Sequence, residues 1–381
     1  MSGAAFAVGN LLLARQMGTA EYASLSLAVA VFIVASQVAT LGMSQVALRR
    51  FVRPDARLLL RLLAQGALGG AACAAVLSRW QDLAPAAALL LGVATAFGPL
   101  LWVASAALLR EGRKARAWCV QTVPDWVLLS LGIIALAAPR WADAWAFGAY
   151  CLAVSVLALA GWSALRRAPP GGKAPPEPGW RMLASATAIV AGSVLVIQFE
   201  RLAVGFLLDA RALAMFGVLA SLAVFPFRLV IAGASFVLVP GLQRLTDADA
   251  RRRLVWRELK VILAALTATS ALLCLVAPAI ARWITAGRYA PGSWLVLAAC
   301  LAGAAKVCHG LPRAIITACG NDRHLELLGR TVWAGIGLSL LGAVAGTAWG
   351  LAGVLYGVAL GSITGALPAM RAAARLLAKA E

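Results

Sequence analysis

The feature that most limits what this chain can fold into is a succession of apolar runs, each closed by a short basic or polar break. In order they are Leu25 to Leu48, Leu58 to Leu77, Ala84 to Leu109, Trp118 to Ala138 and Ala144 to Leu165. After a break come Met182 to Leu208, Leu213 to Pro240, Val261 to Ile284, Trp294 to Ala318, Thr331 to Trp349 and Leu351 to Met370. A bilayer core gives backbone amides no water, so a spanning segment closes its hydrogen bonds internally as a helix or sideways in a closed barrel. At about 20 residues each, the runs are long enough to cross the core as helices. They therefore read as helices. A further run, Ser2 to Ala14, is too short to cross about 30 Å at 1.5 Å per residue, and no basic stretch precedes it as a secretory signal requires. It implies a short first helix or a start codon set downstream of the true one. The expectation is an all-α polytopic membrane protein of about twelve transmembrane helices.

These helices fall into two lobes of six. Between the sixth and seventh runs, segment 166–181 carries Pro169, Pro170, Pro175, Pro176 and Pro178 among Gly171, Gly172 and Gly179, a composition that neither helix nor sheet accommodates. The expected organisation is an N-terminal lobe 1–165, a linker 166–181 and a C-terminal lobe 182–381. The lobes share a pattern at low identity. Ala4 to Ala14, the turn Gly18-Thr19-Ala20-Glu21 and Leu25 to Leu48 give short span, tight turn, long span and basic exit. That order returns at Leu202 to Leu208, Asp209 to Arg211 and Leu213 to Pro240, 191 positions on when Ala23 is set against Ala214.

Composition agrees, at 62% hydrophobic and 13% charged, against roughly 45 to 50% apolar in a soluble domain. The net charge of +19 invites a nucleic-acid partner, but the charges sit between spans with no aromatic platform among them, so none is expected. The charge instead orients the chain. Positions 49–61, 110–116, 166–181, 244–260, 313–330 and the tail hold 25 of the 34 Lys and Arg residues. The opposite side holds seven: Arg15, Arg79, Arg140, Arg201, Arg211, Arg282 and Arg288. Basic loops stay inside, so both termini are expected in the cytoplasm. The outer loops are too short for a catalytic domain, which argues against an enzyme. The seven Cys fall in or beside apolar runs with no C-x-x-C spacing and read as packing residues. Neither His309 nor His324 has neighbours at metal-ligand spacing. Asp247 and Asp249 form a D-x-D, but Thr246 or Asp247 capping the basic helix that holds Arg251, Arg252, Arg253 and Arg257 explains the same residues. No metal or cofactor is expected.

Polar residues inside the runs are the candidates for function, because each needs a partner or water. Asn10, Gln37, Gln198 and Arg228 fall one on each of the four hairpin helices, where they can line a cavity; a hydrogen bond between helices, worth about 0.6 kcal/mol, is the alternative for each amide. Arg228 lies between Phe225-Pro226-Phe227 and Leu229-Val230-Ile231, with no local carboxylate. Lys306 is mid-run, and Asp125 follows Pro124. Glu200 and Arg201 sit near the outer end of theirs, where an arginine can snorkel to the surface or the two can pair. Pro99, Pro226, Pro278 and Pro312 interrupt runs, Pro226 two residues before Arg228 as a kink or hinge. Gly342, Gly346 and Gly350, then Gly353, Gly357, Gly361 and Gly365, make a stripe for close packing of the last two helices.

The opening Leu12-Leu13-Ala14-Arg15-Gln16-Met17-Gly18-Thr19-Ala20-Glu21-Tyr22-Ala23, with Leu41-Gly42 leading to Leu48-Arg49, resembles the first hairpin of the polysaccharide exporters, the Wzx-type flippases of the MATE-like superfamily. Glu200-Arg201-Leu202-Ala203-Val204-Gly205, Phe225-Pro226, Pro278 to Gly287 and Ala318-Cys319-Gly320-Asn321 resemble later helices of that family. Ala23 departs from its turn glycine, and the first helix is shorter. The resemblance implies a flippase that moves undecaprenyl-diphosphate-linked oligosaccharide for O-antigen or exopolysaccharide synthesis, among membrane lipids and beside a glycan polymerase and glycosyltransferases. On that reading Arg228, Lys306, Arg201 and Arg49 neutralise the diphosphate, with Gln198, Asn10 and Gln37 lining its path. Asp125 and Glu200 balance charge or couple to an ion. A lipid II flippase, a multidrug antiporter of the same fold and a non-transporting scaffold are the competing readings.

Overall fold

A computed structural model describes residues 2–49, 54–80, 83–166, 179–224, 226–227, 230, 238, 241–245 and 247–378. Thr246, Arg228 and most of the expected linker, 167–178, lie outside them. The described residues form helices and turns without a strand, in two compact units, Met1–Leu202 and Ala203–Glu381.

The first unit holds α1 (Ser2–Gln16), α2 (Thr19–Val38), α3 (Met43–Arg49), α4 (Ala56–Trp80), α5 (Pro85–Arg110), α6 (Lys114–Gln121), α7 (Val123–Ala137), α8 (Pro139–Arg166) and most of α9 (Trp180–Leu207). Pro85 opens α5 at a position whose N–H has no helical partner in any case. Small residues set the close contacts. A Cβ on Gly9 of α1 would stand 2.6 Å from the Leu128 carbonyl carbon of α7, and one on Gly66 of α4 would stand 2.8 Å from the Thr95 carbonyl oxygen of α5. Leu62, Leu100, Leu101, Val103, Leu108 and Trp162 form the apolar core beside them.

Two runs expected as single helices are broken. Leu25 to Leu48 divides at Leu41 and Gly42, whose φ angles are 42° and 77°. Gly42 is required twice over, by that left-handed backbone and by contact with α9, since a Cβ there would lie 2.7 Å from that of Ala186. The run Trp118 to Ala138 bends by 54° between α6 and α7. Thr122 sits at the break, its hydroxyl donating to the Trp118 carbonyl at 2.9 Å, and Pro124 restarts the helix.

The second unit holds α10 (Ala210–Leu219), which passes into a π-helical turn (Ala220–Val224), then α11 (Ala248–Ile284), α12 (Ser293–Cys319), α13 (Asp322–Gly346) and α14 (Gly350–Ala378). The starts are capped as the residue types dictate: Asp209 accepts from the Ala212 N–H, Asp247 from those of Asp249 and Ala250, and Asn321 forms a capping box with His324. The basic helix before Val261 is continuous with the span that follows, because no glycine or proline separates them. Gly350 does not join the glycine stripe. It has nothing within 4 Å and forms the turn between α13 and α14 at φ +64°.

Eight helices are long and apolar enough to cross a membrane, and the bent pair α6 and α7 makes a ninth. One of the eight, Glu326–Ala378, is α13 and α14 joined through Thr347–Trp349. Counted as two, and with the shorter α1 and Ala210–Val224 added, the described residues supply twelve.

Candidate functional site

The charged pair of α9 is the centre of the first unit's polar interior. Glu200 and Arg201 are 2% and 4% exposed, six to seven residues before the end of the helix at Leu207. Arg201 does not snorkel outward. Its guanidinium carbon lies 5.2 Å from the centre of the Phe6 ring of α1. A desolvated cation over an aromatic face gains about 2 kcal/mol, against roughly 2.5 to 3.5 kcal/mol for placing an arginine at the centre of a membrane helix. The ring therefore offsets much of the penalty.

Around this pair the helices bring further polar groups into the interior of the unit. Tyr150 of α8 is buried and within electrostatic reach of both Arg201 and Asp125, and its ring meets that of Phe32 edge-on at 6.0 Å. Asp125 lies in the first turn of α7, just past the bend. Phe6, Asp125 and Tyr150 stand about 15 to 18 Å from the ends of their helices on the Gln16, Ala137 and Pro139 side, and Arg201 about 9 Å from the α9 end, at 1.5 Å per residue. A band of charge thus crosses the hydrocarbon depth of this unit.

The amides behave differently. Asn10 is buried, and its side-chain nitrogen donates to the Phe6 carbonyl at 2.8 Å within α1, so it braces the turn that carries Phe6. Gln198, also buried, precedes Arg201 by three residues on α9. Gln37, one residue from the other end of α2, and Arg49, the last residue of α3, lie far from this layer along the chain's path. Sequence reasoning missed Phe6 and Tyr150. Tyr150 had a signal, being one of only four tyrosines and placed deep in an apolar run. Phe6 had none.

The second unit buries Lys306, 8% exposed, halfway along α12 and about 20 Å from either end. One turn before it, Gly303 receives Phe227, whose ring stands 2.7 Å from where a Cβ would project. A π-helical turn, Ala220–Val224, precedes Phe227 by a few residues in the sequence. Among the described residues no cluster of His, Cys, Asp or Glu could hold a metal.

No protein-family model matches this sequence, and no curated protein matches it. Solved structures match it in fold. A multidrug resistance MATE family transporter of the MOP superfamily, in an inward-facing conformation, is 14% identical with a TM-score of 0.69, over 99% of this chain and 95% of that one. The lipid II flippase MurJ, in an inward closed conformation, is 12% identical with a TM-score of 0.71, over 97% and 85%. A MATE structure in a straight conformation is 15% identical with a TM-score of 0.54, over 99% and 96%. This chain therefore has the MATE-like fold, all-helical and many times membrane-spanning.

Proposed function

We propose that this protein is a flippase of a bacterial cytoplasmic membrane, with both termini cytoplasmic, that carries undecaprenyl-diphosphate-linked oligosaccharide between leaflets for surface polysaccharide synthesis. The supporting observation is a buried cation at membrane depth in each unit, Arg201 in the first and Lys306 in the second. Fixed positive charge kept away from lipid suits an anionic group that must cross the same layer, and a diphosphate is such a group. The fold adds weight, since it is shared with a lipid II flippase. Glu200 and Asp125 lie in the same layer as Arg201 and serve to balance the charge of the empty path or to couple it to a cation gradient. Arg228 belongs to the proposal on its sequence position. A glycan polymerase and glycosyltransferases are the expected working partners.

Acidic groups in that layer also favour a second reading, export of cationic drugs, and the MATE transporter in the comparison gives it substance. Reconstitution separates the two. Proteoliposomes loaded in one leaflet with undecaprenyl-diphosphate-linked oligosaccharide should expose it to an external glycan-modifying enzyme when this protein is present. If those vesicles expose no lipid-linked glycan but accumulate an ethidium-type cation under an ion gradient, the flippase reading fails.

A further inference from the structure

Helix α11 is 37 residues long, about 55 Å, where a hydrocarbon core needs about 30 Å. The exposed apolar residues show which part is surplus. Val261, Leu263, Leu272 and Leu275 are exposed on several sides of the helix, and Val261 to Ala281 covers about 31 Å, one core thickness. Trp256 and Trp283, 53% and 78% exposed, bracket that stretch. They are about 40 Å apart along the helix, the thickness of a bilayer with its headgroup zones and the spacing expected of two aromatic belts. This register sets Lys260 at the core boundary, Arg257 about 5 Å beyond it in the headgroup layer, and Arg252 and Arg253 about 11 to 12 Å beyond it, at the aqueous edge of that layer.

With Asp249 and Trp256, these four residues line one shallow face. Arg257 is held by Glu258 at 2.8 Å and Arg253 leans on the capping Asp247 at 3.7 Å. Arg252 and Lys260 make no ion pair among the described residues. We propose that this face binds the headgroup phosphate of an anionic phospholipid in the leaflet on the basic-loop side. Arg252 and Lys260 meet the phosphate, and Arg253 and Arg257 flank it. Trp256 sits at the headgroup level, and the acyl chains lie along Leu263 and Leu275, which fall within the arc of the basic face. The continuity of the basic face with an exposed apolar wall selects a lipid over a soluble anion, which would use the charge and leave the wall uncovered.

Native mass spectrometry of the purified full chain, delipidated and titrated with phosphatidylglycerol or phosphatidylcholine, tests this. Each basic side chain beside an anionic lipid is worth about fivefold in binding, so Arg252→Gln with Lys260→Gln should retain phosphatidylglycerol about 25-fold more weakly. Phosphatidylcholine retention should not change. The exchange Arg252→Lys with Lys260→Arg should keep phosphatidylglycerol, and rising salt should strip it from the unaltered protein, a readout that needs no variant. Excess inorganic phosphate should fail to displace the lipid. Equal phosphatidylglycerol retention by the Gln pair and the unaltered protein, salt-insensitive retention, or displacement by inorganic phosphate would each overturn the proposal.

Discussion

Substituting Gly357 by alanine should loosen the last helical hairpin, while the same change at Gly337 should not. In α13 and α14 the facing positions run Gly335 with Gly365, Ser339 with Gly361, Gly342 with Gly357 and Gly346 with Gly353. The two helices are therefore antiparallel and in backbone contact, and the Ser339 and Ser362 hydroxyls meet between them at 3.0 Å. A Cβ on Gly357 would overlap the Gly342 carbonyl and stand 3.1 Å from the Ala343 nitrogen, atoms that no rotamer change can move. The helices must part by about 1 Å, which forfeits up to half of the dispersion at each facing pair. Overpacking of this kind costs about 1 to 3 kcal/mol, and alanine returns up to about 1 kcal/mol of helix propensity, so the net loss is about 1 to 2 kcal/mol. Gly337, on the partner helix α13, has nothing within 4 Å, and alanine there collects only the propensity gain. The propensity gain is common to both, so the variants differ by the overpacking cost, and at roughly 2 to 4 °C per kcal/mol they should melt about 2 to 12 °C apart, with Gly337→Ala higher. Thermal unfolding in detergent, read by size-exclusion chromatography, measures it. If Gly357→Ala melts at or above Gly337→Ala, the backbone contact is not what holds the hairpin.

Gly42→Ala should destabilise more than Gly112→Ala in the same assay. Both glycines have positive φ, 77° and 76°, but only Gly42 meets a neighbour, and the excess reports the contact with α9. Phe6→Leu should cost about 0.5 to 2 kcal/mol while Arg201 is present and less in an Arg201→Leu background; additive losses would mean that ring and cation are not coupled. A reporter active only in the periplasm should be silent when fused after Glu381 and active when inserted after Ala290, and the reverse would overturn the proposed orientation.

The helical runs were legible because a bilayer leaves the backbone one local solution, and the runs are long enough to cross the core as helices. Breaks inside runs were less so. The run Trp118 to Ala138 was read as one helix although Pro124 stands beside the bend at Thr122, and Gly42 reads in sequence as an ordinary helical glycine. Its necessity comes from α9, more than a hundred residues later. The charge pair Glu200 and Arg201 was visible as an anomaly, since ionised residues seldom enter an apolar run without a reason. What satisfies Arg201 was not, because Phe6 is one apolar residue among many until α1 sets it against α9. Gly350 matched the four-residue spacing of the stripe, and only the turn geometry separates it from Gly346 and Gly353. Continuity of α11 was decided by an absence, that of any helix breaker between Lys260 and Val261, which is weaker evidence than a glycine or proline.

The central claim is that buried positive charge carries an anionic lipid-linked glycan through this fold. The most direct test is a charge series in the proteoliposome assay, Arg201→Lys, Arg201→Met, Lys306→Arg and Lys306→Met, with inserted protein matched by quantitative blot. The account predicts that the charge-keeping variants retain part of the translocation and that the methionine variants lose it while remaining inserted. Full translocation by both methionine variants would contradict it.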